Sequence, residues 1–199
     1  MKIKKLNLGC GLDYKKSTKN IEWVNLDFNR EVKTDVYHDL NKKLPFKDNE
    51  FDYILIDNVL EHVEDIFKLI DEMWRISKPN AIIEIFTPHF TGIYAGKHLA
   101  HKHQFGIGSF DIYKEVSGLD KGFQGERYGK ARFKILKQKL IYFHHKAAEI
   151  PLLSKLPINW LFNFSRTYQL ILEKFFPLKF DEIYFRLKLI KRENLKPKE

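Results

Sequence analysis

Leu6-Asn7-Leu8-Gly9-Cys10-Gly11 is a short apolar run that stops in a glycine turn, and the rest of the chain is organised around it. Residues 2–8 predict a strand, because Ile3, Leu6 and Leu8 are apolar β-formers and a glycine pair closes the run. Glycine at Gly9 and Gly11 lets the backbone turn sharply and lets a ligand approach the main chain without meeting a Cβ. A strand that leaves by such a turn is suited to seat a nucleotide-like cofactor.

Two acids follow at informative places. Glu22 to Phe28 reads as a second buried strand, and Asp27 at its end stands close to the ~20 residues past the turn at which nucleotide-binding α/β units place a ribose-binding acid. A lone strand-end Asp is more often a helix cap or turn residue, so Asp27 counts together with the glycine turn. Thr34 to Leu40 predicts a short third strand with Asp39 just past it, at the carboxyl edge where open parallel sheets bind ligands. A ligand-binding acid and a loop acid facing water are equal readings of Asp39.

Further along, Phe51 to Asp57 is a nearly continuous apolar run, as expected of a strand covered on both faces. Apolar residues then recur at Val63, Ile66, Phe67, Ile70, Met73 and Trp74, one face of an amphipathic helix ending at Lys78-Pro79-Asn80. Ala81 to Phe86 forms the next strand, and strands recur at Arg132 to Phe143 and Asp181 to Ile190. This alternation predicts a single domain with a Rossmann-like, doubly wound, mostly parallel seven-stranded sheet and helices on both faces. Residues 1–88 form its cofactor-binding half. Residues 89–131, rich in Gly and His without clear period, read as a lid or substrate loop. Residues 147–177 predict a helical insertion whose stripe, Leu161, Phe164, Tyr168, Ile171 and Phe175, reads as core.

Composition sets outer bounds. The chain has 199 residues, 44% hydrophobic and 31% charged, the balance of a globular protein. No apolar run reaches the ~18 residues of a membrane span, and the start lacks a signal-peptide core, so a cytoplasmic location is expected. One cysteine, Cys10, excludes an internal disulfide. A formal net charge of +9 reads as a solvated lysine-rich surface ending in a basic tail, so a nucleic-acid partner is not expected.

The turn discriminates between phosphate seats. A dinucleotide fingerprint needs a third glycine where this chain has Tyr14, and a P-loop needs Lys-Ser/Thr where Leu12-Asp13 follows Gly11. What remains is a cofactor with ribose and adenine but no phosphate. Taken with Val24 to Asp27, Asp35 to Leu40, Leu44 to Asp52, Val59-Leu60-Glu61-His62-Val63 and Ser77-Lys78-Pro79-Asn80, the chain resembles class I S-adenosylmethionine-dependent methyltransferases of the small methyltransferase-domain group. The resemblance is close over residues 1–88 and loose beyond.

That resemblance implies S-adenosyl-L-methionine as cofactor and assigns roles. Gly9, Cys10 and Gly11 would pass beneath its methionine part, Asp27 would bind the ribose hydroxyls with Phe28 also in the cofactor site, and Asp39 would hydrogen-bond the adenine amino group with the Leu40 backbone at the ring. Asn58 would lie near the sulfonium and His62 would line the same pocket. Asn7 stands where the family often has an acid, which puts recognition of the cofactor's amino group there in question. An oxygen or nitrogen acceptor could use a histidine base; His101 and His89 are the candidates, His101 ahead because His101-Lys102-His103-Gln104-Phe105 echoes relatives.

No metal is expected. His98, His101 and His103 lack a tight finger spacing and a nearby thiol. The aromatic stripe also admits peripheral contact with the inner face of a membrane or a homodimer surface. The resulting expectation is methyl transfer to a small molecule or glycan, against two alternatives: an RNA or protein methyltransferase, and a non-catalytic cofactor-binding subunit that activates a partner. Against the former, no Asn-Pro-Pro-Tyr motif follows the fourth strand, where Asp57-Asn58-Val59-Leu60 stands.

Overall fold

The structure is a computed structural model that describes residues 2–114, 129–142, 162–175 and 180–191. Seven strands form one sheet: β1 (Ile3–Leu8), β2 (Ile21–Asp27), β3 (Val36–Tyr37), β4 (Phe51–Asp57), β5 (Ser77–Pro88), β6 (Phe133–Ile141) and β7 (Glu182–Leu189), in the order β3-β2-β1-β4-β5-β7-β6. The first five run parallel, and β7 inserts antiparallel between β5 and β6. The chain winds outward from β1 through β2 to β3, then returns to β4 on the other side of β1. This reversal opens a crevice at the carboxyl ends of β1 and β4, the usual ligand seat of an open α/β sheet.

Strand interiors explain the sheet's stability. Leu6, Leu8, Leu26, Ile54, Ile56, Ile83 and Ile85 are all fully buried. The helix α1 (Ile66–Ile76) starts where the Asp65 carboxylate accepts from the Lys68 amide at 3.0 Å, capping an otherwise orphaned donor. It buries Leu69, Ile70, Met73 and Ile76, each worth roughly 1.5–3 kcal/mol of removed apolar surface. The helix ends earlier than Pro79 suggests. Ser77 already begins β5, its hydroxyl donating to the Met73 carbonyl at 2.7 Å.

A strap joins α1 to the chain entering β4. Arg75 donates to Glu72 and Asp48 and to the carbonyls of Leu44 and Phe46, while Glu72 also accepts from the Leu44 amide. Lys191, just past β7 and at the start of the basic tail, donates to the carbonyls of Arg75 and Ser77 at 2.9 and 2.7 Å. Arg186 and Lys188 belong to β7; residues 192–199 lie outside the described residues.

Residues 12–20 are turns and irregular chain, so β1 passes to β2 without a helix. Several expectations change in detail. The third strand shrinks to two residues because the Asp35 and Thr34 side chains occupy the Asn25 backbone groups. Residues 89–131 are not lid throughout: Phe105, Ile107, Phe110 and Tyr113 are buried in the core, whereas Ile93, Tyr94 and Leu99 around the short helix α2 (Ile93–Lys97) are exposed.

The helical insertion is described only in α3 (Arg166–Phe175) and the residues just before it; Trp160, Leu161 and Phe176 lie outside the described residues. The stripe read as core faces outward, with Phe164 63%, Ile171 41% and Phe175 66% exposed. The inward face carries Leu172 together with polar Gln169 and Glu173. Gln169 meets Asn163 and the Gln138 carbonyl, and Glu173 meets His89 and the Ile107 amide. Periodicity found the helix but not its orientation, because the surface beneath it is made of peptide groups that need polar partners. No helix among the described residues is long and apolar enough to cross a membrane.

Candidate active site

The glycine turn is built as β1 leaves the sheet. Gly9 and Gly11 have φ of 72° and 49°, a left-handed conformation that side chains resist. The Gly9 and Cys10 amides both donate to the Leu26 carbonyl, at 2.8 and 3.0 Å, which folds the turn over the end of β2. At Gly9 a Cβ would stand 2.5 Å from Val59 Cγ2, so the turn also packs on the segment after β4. At Gly11 no atom lies within 4 Å of that position.

Asp27 completes the turn. Its Oδ2 accepts from the Gly11 amide at 2.7 Å and its Oδ1 from the Asn29 amide at 2.9 Å. Each oxygen keeps a further lone pair for a ligand hydroxyl. Beside it Phe28 and Leu12 are 75% and 95% exposed, apolar surface suited to cover a purine ring. Asp39 is partly buried and accepts from the Asn41 amide and side chain, with Leu40 half-buried next to it.

Two residues assigned to the cofactor turn inward. Asn7 is buried, its Nδ2 donating to the Asp13 carbonyl at 2.7 Å and to Asn25 Oδ1 at 3.2 Å, so it braces the turn from behind. Cys10 buries its thiol against the Lys33 carbonyl, and burial pushes its pKa up. Its part at the turn is its backbone.

Past β4, Asn58 takes a left-handed φ of 54° and bridges Asp57 Oδ1 and Glu182 Oε1 at 2.8 and 3.2 Å. The 3₁₀ turn Leu60–His62 follows. Together with α2 and the loop after it, these residues enclose a cleft of about 470 Å³ lined by Asn58, Glu61, His62, Tyr94, His98 and His101. A second cleft, of about 590 Å³, runs along β6 and contains none of them. The cleft brings Asn58, His62 and His101 together, three of the residues singled out by sequence.

His89 is not among them. It is fully buried, with Nδ1 on the Thr91 hydroxyl and Nε2 on Glu173 Oε1, both at 2.8 Å. Both ring nitrogens are thereby committed, and the residue ties the end of β5 to α3. This is the place of a structural joint rather than of a base, and the sequence expectation is corrected accordingly.

Glu61 is the residue that sequence reading missed. It is 1% exposed, its Oε2 accepts from the Thr87 hydroxyl at 3.1 Å, and its Oε1 has no hydrogen-bond partner. Burial, followed by the nearby Asp57 and Glu182 charges, pushes its pKa up to about 7. Nothing in the string Leu60-Glu61-His62 marks Glu61 as buried. Its main chain is also an anchor, since the Glu61 carbonyl accepts from the Lys102 amide at 2.7 Å and so holds the histidine loop over the cleft. His62 is drawn down in pKa by burial and by neighbouring His101.

Comparisons with known proteins bear on the domain and the fold. Residues 6–85 match a family model described as a methyltransferase domain. Over 132 residues the chain is 29% identical to the demethylmenaquinone methyltransferase of Bacillus pumilus, covering 62% of this chain and 56% of that protein. The chain thus spans about half the length of the curated relatives it matches. A SAM-dependent methyltransferase from Archaeoglobus fulgidus superposes with a TM-score of 0.54 at 18% identity, covering 94% of this chain and 86% of that one. A putative methyltransferase from Haloferax volcanii, solved in complex with the Trm112 methyltransferase activator, superposes with a TM-score of 0.57 at 15% identity, covering 96% and 83%.

Proposed function

We propose that this chain, a class I S-adenosylmethionine-dependent methyltransferase by its domain match and fold, transfers a methyl group to a small-molecule acceptor, glycans included, bound in the cleft between Asn58 and His101. The observation that carries this reading is the position of that cleft, at the carboxyl ends of β4 and β5, where Val59, next to its Asn58 edge, packs on Gly9 of the turn.

The residues present fit the cofactor. Gly11 offers open space where a Cβ would intrude, Asp27 offers free lone pairs to a ribose diol, and Phe28 and Leu12 offer apolar surface to adenine. Asp57, Glu61 and Glu182 gather carboxylates at the far end of the seat, a field complementary to a sulfonium cation. S-adenosylmethionine, when bound, supplies a methyl group already activated on that sulfonium.

The protein's own contribution is then to bind, orient and exclude water, and holding a nucleophile in line accounts for much of such a rate enhancement. Proton management falls to His101. Its Nδ1 faces the Ala95 carbonyl at 3.3 Å; a carbonyl only accepts, so Nδ1 carries the hydrogen and Nε2 the lone pair. A histidine in that tautomer can take a proton from a hydroxyl or amine acceptor.

Support for a small acceptor comes from the size of the cleft and from the demethylmenaquinone methyltransferases among the relatives. Screening small phenols, quinols and glycosides for S-adenosylhomocysteine release tests it. Turnover with one of these classes is expected, and turnover only with RNA or protein would overturn the reading.

A further inference from the structure

We propose that Glu61, His62 and His101 form a divalent-metal site of the zinc type in the acceptor cleft, with an open position toward the acceptor. The proposal deepens the reading of the cleft as the acceptor site and rests on it for the role of the metal. Sequence spacing pointed away from zinc because it compared His98, His101 and His103, and His103 in fact turns away, its Nε2 on the Val63 carbonyl at 3.0 Å. The fold replaces it with two residues from the turn after β4.

Three observations carry the site. One carboxylate oxygen of Glu61 and one ring nitrogen each of His62 and His101 lie within 4.8 Å of one another. Two histidines and one carboxylate are a donor set that binds zinc-like ions and leaves a coordination position free. Ligand atoms around a zinc ion stand roughly 3–3.5 Å apart, so small side-chain rotations close the set.

The second observation is the orphaned Glu61 Oε1. It belongs to a side chain almost wholly removed from water and lacks any hydrogen-bond partner. Buried polar atoms in native proteins are seldom left so, and a cation in the cleft would satisfy it. The neighbouring Asp57 and Glu182 carboxylates add to the negative field there.

The third is the arrangement behind the ligands. Metal-binding histidines generally donate their second ring N–H to a carbonyl or carboxylate, which fixes tautomer and ring orientation. His101 does this with the Ala95 carbonyl. The His62 and His101 rings meet edge to face at 4.7 Å, and His98 stacks on the His101 ring at 5.2 Å and helps hold its plane. With a cation bound, the His101 Nε2 lone pair ligates the ion and no longer accepts the proton, and the open position would take over that task by binding an oxygen of the acceptor and favouring its ionised form.

The test is calorimetric titration of the tag-free, chelator-treated full chain with Zn²⁺ and with Co²⁺, the latter followed also by its visible absorption. Wild type is expected to bind a single saturating equivalent and to give the intense visible bands of low-coordinate Co²⁺. Glu61→Gln and His101→Ala should each weaken binding by about a hundredfold, and His103→Ala should leave it unchanged. S-adenosylmethionine affinity of His101→Ala and His103→Ala should stay within about threefold of wild type, and the circular dichroism spectrum and thermal transition of Glu61→Gln should match those of wild type, which shows that the variants fold. Absence of saturable metal binding in wild type, or undiminished binding in both ligand variants, overturns the proposal. Failure of wild type to bind S-adenosylmethionine would instead sink the methyltransferase reading while leaving the metal isotherm interpretable.

Discussion

Asp27 Oδ2 accepts a hydrogen bond from the Gly11 amide at 2.7 Å, so the acid at the end of β2 and the glycine turn after β1 are one construction rather than two neighbouring features. The acid therefore shapes the turn besides presenting lone pairs to a ribose. Asp27→Asn keeps an acceptor for one amide but loses the charge. It is expected to weaken S-adenosylmethionine and S-adenosylhomocysteine binding at least about tenfold, since hydrogen bonds to a charged group contribute roughly 1.5–3 kcal/mol. Calorimetry with NAD and ATP as controls should show binding of neither in wild type.

The two glycines of the turn differ in what surrounds them. Gly9→Ala meets both a left-handed φ and Val59 Cγ2 at 2.5 Å, and should destabilise by roughly 2–4 kcal/mol. Gly11→Ala meets only the φ cost, about 1–2 kcal/mol. Urea denaturation of the two variants should order them in that way; equal losses would mean that the Val59 contact relaxes freely.

Substitution of His89 and of His101 should have opposite consequences. His89→Ala leaves Glu173 Oε1 without one of its two partners, in a fully buried place, and should cost roughly 2–4 kcal/mol with cofactor affinity retained in the folded fraction. His101→Ala should leave thermal stability within about 0.5 kcal/mol of wild type and abolish turnover.

The outward face of α3 predicts a contrast within one helix. Leu172→Ala removes a side chain 3% exposed and should cost about 2–4 kcal/mol. Ile171→Ser, on the neighbouring exposed position, should change stability by no more than about 0.5 kcal/mol. A large loss from Ile171→Ser would show that this face is covered in solution.

Glu72 supplies a pH dependence. Its hydrogen bonds from Arg75 hold its pKa below the usual carboxylate value. A depressed folded pKa gives stability that is present above the unfolded pKa, about 4.3, and is lost as pH falls through the folded value. Glu72→Gln should therefore be less stable than wild type by about 1–2 kcal/mol at neutral pH, and the difference should shrink as pH falls below about 4.3 and vanish once it passes the depressed folded value. A difference that persists in acid would assign the loss to packing.

Sequence by itself determined the order and kind of the elements, the glycine turn, Asp27 at its distance from it, and hence the class of cofactor. These are local matters: β-periodicity, turn chemistry and the spacing from the first strand to the second carry them. Tertiary structure alone decided which way side chains face and who meets whom. It turned Asn7 and Cys10 inward, committed both nitrogens of His89, put the polar side of α3 against the sheet, and buried Glu61 beside His62 and His101. Burial and partnership between residues distant in the chain depend on how the sheet packs, and that information is spread over the whole fold rather than written at any one position.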